Sequence, residues 1–461
     1  MCNKSPIISS NSESLTIDMS DFSFGGSVSA IASKSHVHRL LICSALSDSP
    51  VNVLTSGTSE DIEATVASLR GLGSVIQENG DSITVNPIKT NEDTIPEIDC
   101  GESGSTLRFL LPVIGALGCG ADIHMHGRLS KRPLSPLYEE LVKHGLTMSP
   151  QGSNPLHMEG KLTGGIYTIA GNVSSQFVTG LLLGLPLLEE DSEIHVTGIL
   201  QSRPYVNIAI DVLRSFSIRI IEEKISSPEK EETIFKIPGG QKFHTKPKIK
   251  ANGDWSNAAF FLSAGAISDS PVTVTGLNMN SLQGDKAIVD ILRKFGAEIK
   301  TAAPNIPEEN THFVEGSVTI SPRKTKAIKI DAANIPDLVP ILSVVAGLSE
   351  GTTVIKNIER LRIKESDRVK TIINTLSALG VNIYEKDKAL YIEGRESFKS
   401  CSISSFNDHR IAMSAAIAAI RAEGPVTIID PYAVKKSYPG FYEDFEELSS
   451  TCSFNASSNE A

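Results

Sequence analysis

The sequence predicts an α/β protein in which one supersecondary unit is used six times, three times in each half of the chain. Three observations carry that prediction. Short strands bounded by turn residues recur at Val51–Leu54, Asp122–His126, Glu193–Val196, Val272–Thr275, Thr352–Ile355 and Val426–Ile429. Their starts lie roughly 70 to 80 residues apart, longer than a solenoid repeat but regular enough for a single repeated unit. Each strand also has the same neighbours: an apolar, small-residue-rich helix before it, and a polar loop with an amphipathic helix after it.

The apolar helices are expected over Val37–Ala45, Thr106–Leu117, Phe177–Leu188, Ala258–Ile267, Leu338–Leu348 and Ile411–Ala422. The amphipathic ones are expected over Asp61–Leu72, Leu134–His144, Val206–Phe216, Lys286–Phe295 and Val369–Leu379. Several end on a glycine (Gly73, Gly296, Gly380), where a left-handed C-cap is wanted. A further strand then follows, as at Ser82–Val85 and Leu390–Glu393. The turn-rich basic stretch Ile237–Lys248 reads as the break between the halves, and a second linker is expected near Ser23–Ser29. Ligands are then expected in a cleft between the halves.

A length of 461 residues exceeds what one core usually serves, so two domains are expected. With 40% hydrophobic and 21% charged residues the composition is that of a globular protein. The longest apolar segment, Phe177–Leu188, is too short to span a bilayer and runs into Glu189, Glu190 and Asp191. Cys2, Cys43, Cys100, Cys119, Cys401 and Cys452 show no C-x-x-C spacing, which argues against a zinc site or a disulfide framework and favours a reducing cytoplasm. The first twenty residues lack the features of a secretory signal or a transit peptide. A net charge of -11 disfavours nonspecific attraction to nucleic acid or anionic lipid, so any bound anion must be held by a local cluster.

Such clusters sit at the helix starts. Arg362-Ile-Lys-Glu-Ser-Asp-Arg368 packs five ionisable side chains into seven residues before an apolar run. Cations are disfavoured there by the positive end of the helix dipole unless an anion sits against them. The oddity recurs at Lys34, at Lys131-Arg132-Pro133, at Arg203, at Arg410 and at Lys435-Lys436. Serines and prolines at these starts, such as Ser105, Ser174, Pro133 and Pro204, are explained as caps and first-turn residues. The lysines and arginines are not. Exposed N–H groups, hydroxyls and adjacent cations make phosphate and carboxylate sites, and small phosphorylated metabolites fit better than nucleic acid because no aromatics interleave the basic residues. Asp337, Glu365, Asp367 and Asp408 are the carboxylates inside the clusters, with Glu365 and Asp337 the candidates for dividing the acid and base roles.

In register along nearly the whole chain, Ser33-Lys-Ser35 with Arg39, Gly104-Ser-Thr106 with Arg108, Lys131-Arg-Pro133, Ser174-Ser-Gln176, Ser202-Arg-Pro-Tyr205, Gln283-Gly-Asp285, Ile335-Pro-Asp337, Lys364-Glu-Ser-Asp-Arg368 and Asn407-Asp-His-Arg410 resemble the enolpyruvyl transferases that make 5-enolpyruvylshikimate 3-phosphate. The resemblance implies a two-domain inside-out α/β barrel, each domain three βαβαββ repeats with parallel helices buried and sheets outside. It places the phosphoenolpyruvate side in residues 14–33 plus 252–448 and the shikimate 3-phosphate side in 34–251, with flexible ends at 1–13 and 449–461. It implies transfer of the enolpyruvyl group through a tetrahedral adduct, with no metal, no organic cofactor and no macromolecular partner, by a chain expected to be a monomer.

By the same resemblance, shikimate 3-phosphate is assigned to Lys34, Ser35, Arg39, Ser174, Ser175, Gln176, Ser202, Tyr205, Asp337 and Lys364. Phosphoenolpyruvate is assigned to Lys34, Gly104, Arg132, Gln176, Arg368, Arg410 and Lys436, and proton transfer to Asp337, Glu365 and Lys34. The glycine-rich loop departs from the family's usual form, reading Gly101-Glu-Ser-Gly-Ser105, with Phe109 in place of a common proline, Asn252 in place of an acid and Arg360 in place of an asparagine. Glu102 is expected to bring negative charge near the phosphoenolpyruvate site. Two rivals are a transferase of enolpyruvate to UDP-N-acetylglucosamine and a non-catalytic relative that binds phosphate or RNA ends. His124-x-His126 is assigned no metal.

Overall fold

The computed structural model describes residues 5–91, 94–227, 231–303 and 313–451. The chain forms two units. One comprises Ile31–Asp254 with Ser281–Gly284; the other comprises the described residues up to Ala30, Trp255–Asn280, and those from Asp285 onward. The first is called here the Lys34 unit and the second the Asp337 unit.

Among the described residues, each unit carries three four-stranded sheets of one design: a parallel pair, then two antiparallel strands. In the second repeat, Glu97–Asp99 lies parallel to Ala121–His124, which pairs antiparallel with Leu156–Gly160, and that strand pairs antiparallel with Leu146–Met148. The parallel step needs a crossover, and the helix Gly104–Leu117 supplies it. The third and fifth repeats follow the same scheme with Gly165–Ala170 and Lys329–Asp331 as their first strands.

Among the described residues, the first repeat has no strand of its own ahead of its helix. Lys248–Lys250 returns to fill that place, parallel to Val51–Leu54. This corrects the reading of Ile237–Lys248 as the break between halves: the Lys34 unit continues to Asp254 because its first sheet needs this edge strand. The Asp337 unit borrows from the other end of the chain. Gly26–Ser29 provides the parallel strand beside Val272–Asn278, and the hairpin Ile7–Ser10 with Ser14–Ile17 completes the sheet of Val426–Ile429. The ends expected to be flexible are therefore partly built into sheets, Ser449–Thr451 included, which pairs with Phe22–Phe24. Residues 1–4 and 452–461 of those expected ends lie outside the described residues.

The helices divide by pattern. Helix Trp255–Ile267 is apolar all round and every one of its residues is buried, as are those of Val339–Gly347 and His409–Ala419. The second helices, such as Arg203–Ser215 and Ile288–Phe295, bury one face only. In the Lys34 unit, helices Gly104–Leu117 and Ser175–Gly184 touch backbone to backbone. A Cβ on Gly180 would fall 2.2 Å from the Arg108 carbonyl and one on Gly184 would fall 2.6 Å from the Pro112 carbonyl. This close approach sets Arg108 beside the start of the neighbouring helix.

Candidate active site

In the Lys34 unit, helix Lys34–Ala45 starts after Ser33, whose side chain makes no cap bond. The carboxylate of Asp254 takes over, accepting the Lys34 N–H at 3.0 Å. Lys34 Nζ lies 2.6 Å from Asp61 Oδ2, in the first turn of helix Glu60–Gly71. Arg39 is 2% exposed; it donates to the carbonyls of Ser35 and Tyr205 and lies 4.8 Å from the centre of the Phe109 ring. Burial pulls its pKa down to about 10.

Ser174 caps helix Ser175–Gly184 by accepting the Gln176 N–H at 3.2 Å, and Ser175 is buried. Gln176 is held at both ends: its Oε1 accepts from Arg108 at 2.9 Å, and its Nε2 donates to Ser105 Oγ at 3.0 Å. Ser202, buried ahead of helix Arg203–Ser215, adopts a left-handed conformation with φ 54°. That backbone is unfavourable for a side-chain-bearing residue and is often kept for function.

The first turn of helix Gly104–Leu117 gathers positive charge. Its cap is Ser103, not the expected Ser105, with the Thr106 N–H 3.3 Å from Ser103 Oγ. A Cβ on Gly104 would fall 2.6 Å from Arg108 Nη1 and 2.8 Å from Arg132 Nη1. Among the described residues, the Arg132 guanidinium makes no hydrogen bond or ion pair, and its Nε is buried. An uncompensated guanidinium over a helix N-terminus is an anion site. Glu102 is packed against Gly127, where a Cβ would meet its carboxyl carbon at 2.5 Å. Pro133 does not open the next helix as expected; that helix is Leu137–Lys143, preceded by Pro136.

In the Asp337 unit, the charged run at 362–368 resolves into separate partners. Asp337 Oδ1 accepts from Lys364 at 3.2 Å and from Arg368 at 2.8 Å, while its Oδ2 accepts from Arg410 at 3.2 Å. Arg368 is 1% exposed and also donates to Glu365 Oε2 at 2.7 Å and to Asp408 Oδ2 at 2.9 Å. Burial alone would lower its pKa, but Asp408, Glu365 and Asp337 outweigh it and raise it. Lys364 moves the other way: burial lowers its pKa, with Asp337 opposing and Arg368 assisting. Asp408, fully buried, caps helix His409–Ala419 through the Arg410 N–H. Asp367 caps helix Arg368–Ala378 and pairs with Arg362. Lys436 donates to the Asn407 carbonyl at 2.9 Å.

His124 and His126 face Glu97 and Asp99, and no cluster of three or more metal-binding side chains occurs among the described residues. His36 serves the fold: its Nδ1 accepts the Asn252 N–H at 3.0 Å, which requires a neutral ring. Burial, then Arg39, lowers its pKa from 6.5 to about 4. The unfolded chain takes up this proton near pH 6.5 and the folded chain only near 4, so the contribution to stability is complete above pH 6.5. It is lost as the pH falls to 4, with a size of order 3 kcal/mol. Urea unfolding of the native chain and of His36→Gln should therefore converge between pH 7 and pH 4; parallel curves would contradict this account.

The family model for EPSP synthase (3-phosphoshikimate 1-carboxyvinyltransferase) matches residues 23–445. The chain belongs to the EPSP synthase family. A 3-phosphoshikimate 1-carboxyvinyltransferase of Clostridium acetobutylicum is 41% identical over 428 residues, covering 92% of this chain and 95% of the relative. One of Clostridium kluyveri is 40% identical over 424 residues with the same coverage. Among solved structures, the EPSP synthase of Acinetobacter baumannii superposes with a TM-score of 0.77 at 23% identity, over 95% of this chain and 99% of the other. The enolpyruvyl transferase NikO of Streptomyces tendae does so with a TM-score of 0.70 at 17% identity, over 95% and 98%. The fold is the two-domain inside-out α/β architecture, with helices buried and sheets outside.

Within this EPSP synthase family chain, motif reading singles out the cations but not all of their partners. Asp61 and Asp254 were not singled out, because an acid in a helix's first turn is ordinary and neither is near Lys34 in sequence. Arg108 entered only as part of a motif, whereas the structure makes it the clamp on Gln176.

Proposed function

We propose that this chain transfers the enolpyruvyl group of phosphoenolpyruvate to the 5-hydroxyl of shikimate 3-phosphate and releases inorganic phosphate. Arg132 carries the reading: a cation without a partner among the described residues, set over the first turn of a helix at Gly104, suits the phosphate of the smaller substrate. Lys34 and Lys436 assist at that phosphate, Gln176 lies alongside, and Arg368 and Arg410 take the carboxylate. Ser35 and Arg39 hold the shikimate carboxylate. Ser174, Ser175, Ser202 and Lys364 hold its phosphate, with Gln176 and Tyr205 along the ring.

Glu365, with Lys34 as a second donor, protonates the methylene carbon of phosphoenolpyruvate, which leaves an oxocarbenium-like carbon. The 5-hydroxyl attacks that carbon as Asp337 accepts its proton, forming the tetrahedral adduct. The adduct then returns a methyl proton to the Glu365 carboxylate left by the first step and breaks its C–O bond to phosphate, giving the enolpyruvyl ether. Fixed cations stabilise the phosphate as it departs. The chain acts as a monomer in the cytoplasm, and Cys43, Cys100, Cys119 and Cys401 carry free thiols. No described helix is long and apolar enough to cross a membrane.

Purified protein given both substrates should release phosphate; release only when UDP-N-acetylglucosamine replaces shikimate 3-phosphate would overturn the assignment. Gly104→Ala gives a sharper test of the first turn. Its methyl group would force the Arg132 and Arg108 guanidiniums apart, so KM for phosphoenolpyruvate should rise about 10- to 100-fold. An unchanged KM would move the phosphate elsewhere.

A further inference from the structure

We propose that His38 and Thr65 are positioning residues for the Gly104–Ser105 turn, acting through a chain of four hydrogen-bonded side chains that ends on the cap of helix Gly104–Leu117. His38 lies one helical turn beyond Lys34, and Thr65 one turn beyond Asp61. Two successive rungs therefore join helices Lys34–Ala45 and Glu60–Gly71: Lys34 Nζ to Asp61 Oδ2 at 2.6 Å, and His38 Nδ1 to Thr65 Oγ1 at 2.7 Å. Thr65 Oγ1 is 2.6 Å from Thr106 Oγ1, which is 2.8 Å from Ser103 Oγ. One hydroxyl thus links three helices, and all four side chains are buried.

The chain has a direction. In the proposed chain Thr106 donates its hydroxyl proton to Ser103, and the short contact between the two threonines carries the proton of Thr65, whose alternative acceptor, the Asp61 carbonyl, is 3.4 Å away. Thr65 in turn receives from His38 Nδ1–H. His38 Nε2 is left as a buried acceptor with no partner among the described residues. Pure packing would be served better by an apolar ring, since a buried unsatisfied acceptor is costly. What the imidazole supplies is the fixed proton that orders the chain.

The far end of the chain is Ser103 Oγ, which holds the Thr106 N–H and so sets the first turn under Arg108 and Arg132. Those guanidiniums lie less than 3 Å from where a Gly104 Cβ would be, so a shift of a few tenths of an ångström alters the anion site. The kinetic consequence rests on the proposed reaction. Thr65→Val keeps the shape and removes the hydroxyl; it should raise KM for phosphoenolpyruvate about tenfold, with kcat and KM for shikimate 3-phosphate within about twofold, and Thr65→Ser should restore the native value.

Equal changes in both KM values, or none, would overturn the proposal, as would Thr65→Ser behaving like Thr65→Val. Nitrogen-15 spectra of His38 in the native protein give a reading independent of turnover: an Nδ1–H tautomer at pH 7 supports the chain, and an Nε2–H tautomer overturns it. Were the native protein inactive with this substrate pair, the reaction would fall. The spectrum, and a loss of inorganic phosphate binding in Thr65→Val but not in Thr65→Ser, would still decide the role of the chain.

Discussion

Asp337→Asn is expected to lower kcat by about 10²- to 10⁴-fold, the range for loss of a positioned proton acceptor. The substitution preserves shape but removes the charge on which Lys364, Arg368 and Arg410 converge. An amide offers one acceptor oxygen where the carboxylate offers two, so its NH₂ must face one of these cations. Some stability is lost with activity, and the two are separable: the melting temperature reports the ion pairs, and single-turnover phosphate release reports the proton transfer. A kcat within tenfold of the native value would take Asp337 out of the chemistry and leave it an ion-pair residue.

The largest loss of stability is expected from Asp408→Ala. Arg368 is almost wholly buried and Asp408 is completely so, and they share two contacts, Nε to Oδ2 at 2.9 Å and Nη2 to Oδ1 at 3.2 Å. Asp408 also caps its own helix and accepts from Ser366. Removing one partner of a buried pair leaves a charge in a low-dielectric interior, which costs about 3–5 kcal/mol, with about 1 kcal/mol more for the lost cap. Asp408→Asn keeps the cap and one acceptor and should fall between the native chain and Asp408→Ala. Urea unfolding checks both, and a loss below about 1 kcal/mol for Asp408→Ala would mean that Glu365 and Asp337 alone can neutralise Arg368.

Much of the fold was legible because its signals are local. A long, mostly apolar run such as Leu338–Leu348 reads as a core helix, and a strand bounded by turn residues needs no distant partner to be recognised. The return of Lys248–Lys250 to the first sheet was not legible. Its short basic pattern suits a linker as well as an edge strand, and only the open place beside Val51–Leu54 distinguishes them. The cap at Ser103 rather than Ser105 escaped for a similar reason, since both serines precede the same apolar run. At the site, the cations at helix starts stood out against the helix dipole, whereas Asp61, which compensates Lys34, looked like an ordinary first-turn acid.

By itself, the sequence determined the sixfold unit, the family and the set of charged residues at the helix starts. The unit and the charged starts follow from periodicity and from local violations of capping rules, both written within a few residues of each position, and the family follows from the resemblance of nine motifs in register. Tertiary structure alone decided how the charges are shared: Arg368 among Asp337, Glu365 and Asp408, Lys34 on Asp61, and Arg132 with no partner among the described residues. Coulomb energies depend on distance and burial, and residues 27 or 40 positions apart acquire both only when the helices that carry them are packed.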